Sequence, residues 1–136
     1  IITLAAIVQE ETFKQVEMFR VAGVYMNRLR KGIRLQADPT IIFAVGDPGI
    51  RRVLRKHLQV DSPYNTYKHK GLPPGPIRIP SIQAIDACLK YENHNYIYFC
   101  AKEDFSGYHS FASSYTQHLR NARRYRKALN ERNIYN

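Results

Sequence analysis

Three polar residues follow an apolar run in AIVQEET, residues 6–12: Gln9, Glu10 and Glu11. On a helical wheel at about 100° per residue, Leu4, Ile7 and Val8 form one stripe and Glu11 falls near its middle. Gln9 projects to the opposite side, and Glu10 lies on the flank near Thr3 and Ala6, where water reaches both. A carboxylate on an apolar stripe loses hydration, holds its proton to higher pH and can serve as a general acid. The competing reading is structural: an ion pair with an arginine at the core edge, Arg28 or Arg30, also accounts for such a carboxylate.

Further candidates follow along the chain. Asp38 in QADPT precedes Pro39, the pattern of a helix N-cap with proline in the first turn, and a catalytic carboxylate is the alternative. Gln36 and Thr40 flank it and, on a turn, could offer hydrogen bonds to a sugar. SPYNTY, residues 62–67, alternates hydroxyl, aromatic and amide groups, a mixture that holds carbohydrate by ring stacking and polar contacts, and so nominates Tyr64, Asn65 and Tyr67. Asn65 could instead bond its own backbone two residues on. His109 could be a base or a ligand, with a satisfied histidine the plainer reading. It shares no metal spacing with His57, His69, His94 or His118, and Cys88 and Cys100 supply none. No serine or cysteine stands in a nucleophile motif and no glycine-rich phosphate loop occurs, so no metal and no cofactor are expected.

These residues need a scaffold. A chain of 136 residues makes one domain with one core. Residues 2–12 read as a helix, and a second follows through VEMFRVAGVYMNRLRKG with Met18, Val21, Ala22, Tyr25 and Leu29 at helical spacing, capped by Gly32. A short helix over 39–45 ends in a turn from Gly46 to Gly49. Between Asp61 and Pro80, five prolines and two glycines exclude regular helix or a central strand. Tyr64, Tyr67, Leu72, Ile77 and Ile79 make that stretch an ordered loop rather than a linker, and GLPPGPI within it reads as a rigid groove wall. Ser81 opens a helix with Ile82, Ile85 and Leu89 on its inner face. NYIYFCAK and YHSFAS form a hairpin across EDFSG, and a last helix spans 115–131, with Ser114 and Gln117 as a capping box. The expected class is α+β: a helix-rich single domain with at least one β-hairpin and a long Pro/Gly-rich ordered loop.

Charge adds a broad signal. Lys and Arg number 21 against 11 Asp and Glu, a formal net charge of +10, which implies affinity for polyanions. The bases are dispersed, thickest at 120–132 and again at 51–57. Ten tyrosines on a basic chain admit single-stranded nucleic acid, but no recognition motif supports it. No apolar run approaches the roughly 20 residues that span a bilayer, and the start at IITLAAIV, inside a helix, marks a fragment of a longer protein.

In order along the chain, AIVQEET, VAGVYMNRLRKGIRLQADPTI, SPYNTY, GLPPGPI and HSFASSYTQH resemble the catalytic domain of the YceG-like, or MltG, family of endolytic murein transglycosylases, over nearly the whole sequence. The resemblance implies a peptidoglycan lyase that cuts nascent glycan strands internally and leaves 1,6-anhydro-N-acetylmuramic acid ends. It implies that residues 1–136 are the catalytic part of a single-pass inner-membrane protein. The catalytic domain would face the periplasm, with the membrane anchor and a LysM-like part outside this chain and cell-wall synthases as partners. The family's catalytic glutamate stands immediately before Thr, which is Glu11 here; Gln9 departs from the family's usual Glu, and because it projects away from the Leu4 stripe a supporting role is expected to be lost or replaced rather than catalysis abolished. Gln36, Asp38, Thr40, Tyr64, Asn65 and Tyr67 are the expected substrate-binding set. Two readings stay beside it: a muramidase-type hydrolase with Asp38 activating water, and a non-catalytic peptidoglycan-binding module.

Overall fold

The computed structural model describes residues 1–47, 49–50 and 52–132. Pro48, in the expected turn, and Arg51, in the smaller basic cluster, lie outside the described residues. Helix α1, Ile2–Glu11, is the hub. Leu4, Ala5, Ala6, Ile7 and Val8 are all buried, so its middle is covered all round, as a core helix requires. The one-sided stripe is therefore corrected, since Ala5 and Ala6 are inaccessible too, while water does reach Gln9 and Glu10. Thr12 adopts an extended conformation and its Oγ1 accepts a hydrogen bond from the Lys14 amide at 3.0 Å, which turns the chain directly after Glu11.

Helix α2, Gln15–Lys31, packs on α1 and ends at Gly32 in the left-handed region, φ 67°, as its sequence predicts. Midway along α2, Gly23 lets another segment approach closely: a Cβ there would fall against the Glu92 carbonyl and the His94 ring. The backbone carbonyl cannot swing aside, so Gly23→Ala is expected to destabilise the protein by roughly 2–3 kcal/mol. Chemical denaturation of the two proteins checks this, and unchanged stability would show that the segment around Glu92 yields freely. Asn27, one turn further on, fastens the same segment by donating to the carbonyls of His94 (2.8 Å) and Tyr96 (2.9 Å).

Helix α3, Asp38–Val45, carries its proline in the first turn and stops at Gly46, φ 77°. Asp38 does not cap it. Ala37 holds the cap position without a side-chain bond, because the Asp38 carboxylate is taken by Tyr67. Residues 61–80 form no helix or strand and are ordered, but not through all the expected residues. Asn65, Thr66 and Pro73 are buried, whereas Leu72 is 41 % and Ile79 90 % exposed. Helix α4, Ile82–Leu89, is capped by Ser81 as expected, with the Ala84 amide 3.2 Å from its Oγ. Its inner face is corrected: Ala84, Ala87 and Cys88 are buried with Ile85 partly so, while Ile82 and Leu89 are exposed. Small residues let α4 lie close on α1 and α2.

Strands β1, Tyr98–Ala101, and β2, His109–Ala112, pair antiparallel with Phe99 opposite Phe111. Phe99 packs edge-on against Tyr25 of α2, and Tyr98, on the other face, stacks with His118 of helix α5, Tyr115–Glu131. Ser114 caps α5 by accepting from the Gln117 amide, but the capping box is only half formed among the described residues: the Gln117 side chain donates to Asn121, and its oxygen accepts no bond from the Ser114 amide. Among the described residues, five α-helices and a two-stranded sheet make the helix-rich α+β domain that the sequence predicts. Among the described residues no helix is long and apolar enough to cross a membrane.

Candidate active site

A cleft of about 420 Å³ runs along β1, between α5 and the body formed by α1, α2 and α3. Glu11, Gln36, Asp38 and Tyr67 line it, joined by Tyr25, Arg28 and His118, which sequence reasoning did not nominate as site residues. A second space of about 230 Å³ adjoins the first, bounded by Thr12, Phe13, Lys102, Tyr108 and again by Glu11 and His109. Glu11 therefore stands where two open spaces meet.

The local fold explains its placement. Glu11 is the last residue of α1, and Thr12 turns the chain away so that the carboxyl projects into the cleft. Buried helix on one side and cleft walls on the other strip most water from it, although the surface there stays half-open. Burial is the largest effect on its pKa, the negative charge of Asp38 is the next, a hydrogen bond with Tyr25 opposes them and the charge of Glu10 adds least; the carboxyl is pushed up to about 8. The carboxyl-terminal end of a helix dipole also disfavours an anion. Glu11 is thus protonated at neutral pH. Neither expected structural partner claims it: Arg28 donates to the Ile97 and Arg34 carbonyls, and Arg30 to Tyr91 and Asn27.

Asp38 faces the same cleft and accepts a hydrogen bond from the Tyr67 hydroxyl at 2.5 Å. Its surface is wetted by the cleft, yet the walls displace enough solvent to raise its pKa, with the Tyr67 bond pulling it back down. Tyr67 in turn is raised by burial and by Asp38. Gln36 enters the cleft edge with φ 50°, a left-handed conformation that side chains beyond glycine seldom adopt and that collects at functional sites.

Thr40, Asn65 and Tyr64 do not line the cleft, which corrects that part of the expected set. Thr40 is inaccessible and binds the Ala37 carbonyl (2.7 Å) and the Thr66 hydroxyl (2.9 Å). Asn65 is equally inaccessible; its amide donates to the Leu58 and Val60 carbonyls at 3.0 and 2.8 Å and its oxygen accepts from the Tyr67 amide. That last bond is the local two-residue turn that the sequence offered as the alternative. Tyr64 packs against Phe43, ring centroids 4.9 Å apart. Thr40 and Thr66 clamp Ala37 between them, so these residues position Gln36, Asp38 and Tyr67 from behind. Gln9 also has a supporting contact, accepting from the Ser81 amide at the start of α4, while Glu10 pairs with Arg78 on the surface.

His109 fits the plainer reading, a satisfied histidine. Its Nδ1 lies 2.8 Å from Glu17 Oε1 and its backbone amide donates to Oε2 of the same buried carboxylate, so it is satisfied. It nonetheless lines the cleft beside Glu11. Among the described residues no cluster of three His, Cys, Asp or Glu side chains is arranged to hold a metal ion. A protonated carboxyl, a second carboxylate held by a tyrosine and two confluent grooves make an arrangement that can deliver a proton to a molecule lying along them.

Comparison with known proteins finds relatives along nearly the whole chain. The sequence pattern of the YceG-like family matches residues 1–124. The chain is 37 % identical over 132 residues to an endolytic murein transglycosylase of Bacillus subtilis, covering 97 % of this chain and 36 % of that protein. A protein of the same description from Streptococcus pneumoniae is 34 % identical over 125 residues, 89 % of this chain and 22 % of that one. A crystal structure of a yceG-like protein from Listeria monocytogenes superimposes with a TM-score of 0.81 at 38 % identity, covering 87 % of this chain and 38 % of that one. The chain thus spans about a third or less of the length of these curated relatives.

Proposed function

We propose, from the premise that this chain belongs to the YceG-like family, that it is the catalytic part of an endolytic murein transglycosylase. The observation that carries the reading is Glu11: a carboxyl protonated at neutral pH, at the junction of two open spaces. A glycan can lie across it in both directions, as an internal cut requires. The named relatives, called endolytic murein transglycosylases, point to the same substrate.

Glu11 gives its proton to the glycosidic oxygen between N-acetylmuramic acid and N-acetylglucosamine as that bond breaks. The carboxylate so formed takes the proton of the muramic C6 hydroxyl while that oxygen closes on C1. The product end is a 1,6-anhydro sugar, no water is consumed, and Glu11 is again protonated. In this reading Asp38, held by Tyr67 in the same cleft, offsets the positive charge that develops at C1, and Gln36 binds the sugar at the cleft edge. The same proposal takes in the wider setting: a periplasm-facing catalytic domain on an inner-membrane anchor, working beside cell-wall synthases.

Mass spectrometry of products from uncrosslinked strands tests the reaction type. Strand ends lighter by one water than reducing ends are expected. Reducing ends would replace the proposal by a hydrolase in which Asp38 activates water, and binding without cleavage would replace it by a glycan-binding module.

A further inference from the structure

The hydrogen bonds of His109 are all on one side of its ring. Nδ1 lies 2.8 Å from Glu17 Oε1, and the backbone amide donates to Glu17 Oε2 at 3.0 Å. Among the described residues Nε2 has no hydrogen-bond partner, and it is not sealed from solvent. The residue borders both open spaces that meet at Glu11. One unused nitrogen therefore stands in the wall beside the protonated carboxyl.

Glu17 decides what that nitrogen can do. It is 7 % exposed and stands in the first turn of α2, where the helix dipole favours an anion. A carboxylate oxygen only accepts, so the hydrogen of the neutral imidazole sits on Nδ1 and the lone pair on Nε2. The amide bond to the second carboxylate oxygen and a T-shaped contact with Phe99 at 5.4 Å hold the ring in place. Orientation and tautomer are both fixed before any substrate arrives.

We propose that His109 touches the strand: Nε2, kept an acceptor by Glu17, receives a hydrogen bond from the sugar beside Glu11, and Glu17 is the positioning residue behind it. The proposal rests on the function given above and adds a residue that orients the sugar without moving a proton. A sugar offers donors of this chemistry from two sources, a hydroxyl and the acetamido N–H.

The test reverses the tautomer. In Glu17→Gln the His109 amide, always a donor, takes the side-chain oxygen and leaves the NH2 group to face Nδ1. The imidazole hydrogen is then driven to Nε2, which becomes a donor and opposes the donor of the sugar. Nitrogen NMR of full-length protein labelled at histidine reads the tautomer, the His109 signals being assigned by their absence from His109→Phe. Strand affinity is measured in the Glu11→Gln background, so that strands are not consumed. Hydrogen on Nδ1 is expected in the unaltered protein and on Nε2 in Glu17→Gln, and both Glu17→Gln and His109→Phe should weaken strand binding by roughly 10- to 100-fold. Synthetic strands with every acetamido group replaced by an acetate ester separate the two donors: loss of the penalty identifies the N–H, and its persistence a hydroxyl. A purely structural pair would leave the affinity of the folded variants unchanged, which overturns the proposal. Hydrogen on Nε2 in the unaltered protein, or weakened binding in Glu17→Gln without a change of tautomer, also overturns it. If Glu17→Gln fails to fold, His109→Phe and the tautomer of the unaltered protein decide. Binding without cleavage by the unaltered protein removes the transglycosylase alone, and absence of binding removes both.

Discussion

Glu11→Gln is expected to abolish strand cleavage, lowering kcat by about 1,000-fold or more, because the amide can neither give the proton to the leaving oxygen nor take one from the C6 hydroxyl. Chromatography of strands before and after exposure to each protein measures it, and cleavage by the glutamine variant within tenfold of the unaltered protein would remove Glu11 from the mechanism. The carboxyl is pushed up to about 8 chiefly by burial, so the acid form is present through the neutral range. Activity should be lost progressively as pH rises through about 8. Stability carries the opposite consequence for the variant. Unfolded, the carboxyl ionises near its ordinary value of 4.5, so between that pH and about 8 the folded state binds more protons than the unfolded one. By linkage the folded state is penalised increasingly as pH rises across this window, and the penalty is constant above it. Glutamine has no proton to lose. Glu11→Gln should therefore melt close to the unaltered protein at pH 4 and above it at pH 8, by roughly 1–3 kcal/mol once cleft water is allowed for. Inactivity together with added stability at high pH is the signature of a carboxyl kept buried for chemistry, whereas a structural ion pair would lose stability on the same substitution.

Much of this arrangement is legible in the residues, but some of it for reasons that differ from the pattern. The wheel turns Glu11 inward beside Leu4 and Ile7, yet α1 is buried all round its middle. What singles out Glu11 is its position at the helix end, where Thr12 turns the chain. In α4 the large residues mislead. Ile82 and Leu89 weigh heavily on a wheel, while close approach to α1 is made by Ala84, Ala87 and Cys88, whose small size hardly registers in the pattern. Helix boundaries and the hairpin are local properties, set by Gly32, Gly46, Ser81, Ser114 and strand-forming aromatics, and these agree with the structure. The far wall of the cleft is not local. Tyr98 and His118 come from roughly the last third of the chain and meet Glu11 only after the hairpin has docked on Tyr25. Tyr25 and Arg28 did leave a trace, being polar groups three apart within an apolar helix face, which is the spacing that brings two side chains to one side.

Asn65→Ala is expected to have the second-largest effect, and to have it through the fold. If Asn65 touched sugar, its loss would raise KM and leave the melting temperature alone. The structure instead encloses it completely, with its two amide hydrogens on the Leu58 and Val60 carbonyls and its oxygen on the Tyr67 amide. Alanine leaves two carbonyls and one N–H of half-buried residues without the partner they have now. Each such orphan costs about 1–3 kcal/mol, partly relieved by local relaxation, so a destabilisation of roughly 3–4 kcal/mol is expected from denaturant unfolding. A further consequence reaches the cleft. With the Tyr67 amide released, the hydroxyl of Tyr67 is no longer held on Asp38, and the charge beside Glu11 loses its fixed position. Cleavage measured at a temperature where the variant remains folded should then show reduced kcat as well. Unchanged stability with raised KM alone would return Asn65 to the sugar, and would mean that the Pro-rich loop opens to admit substrate.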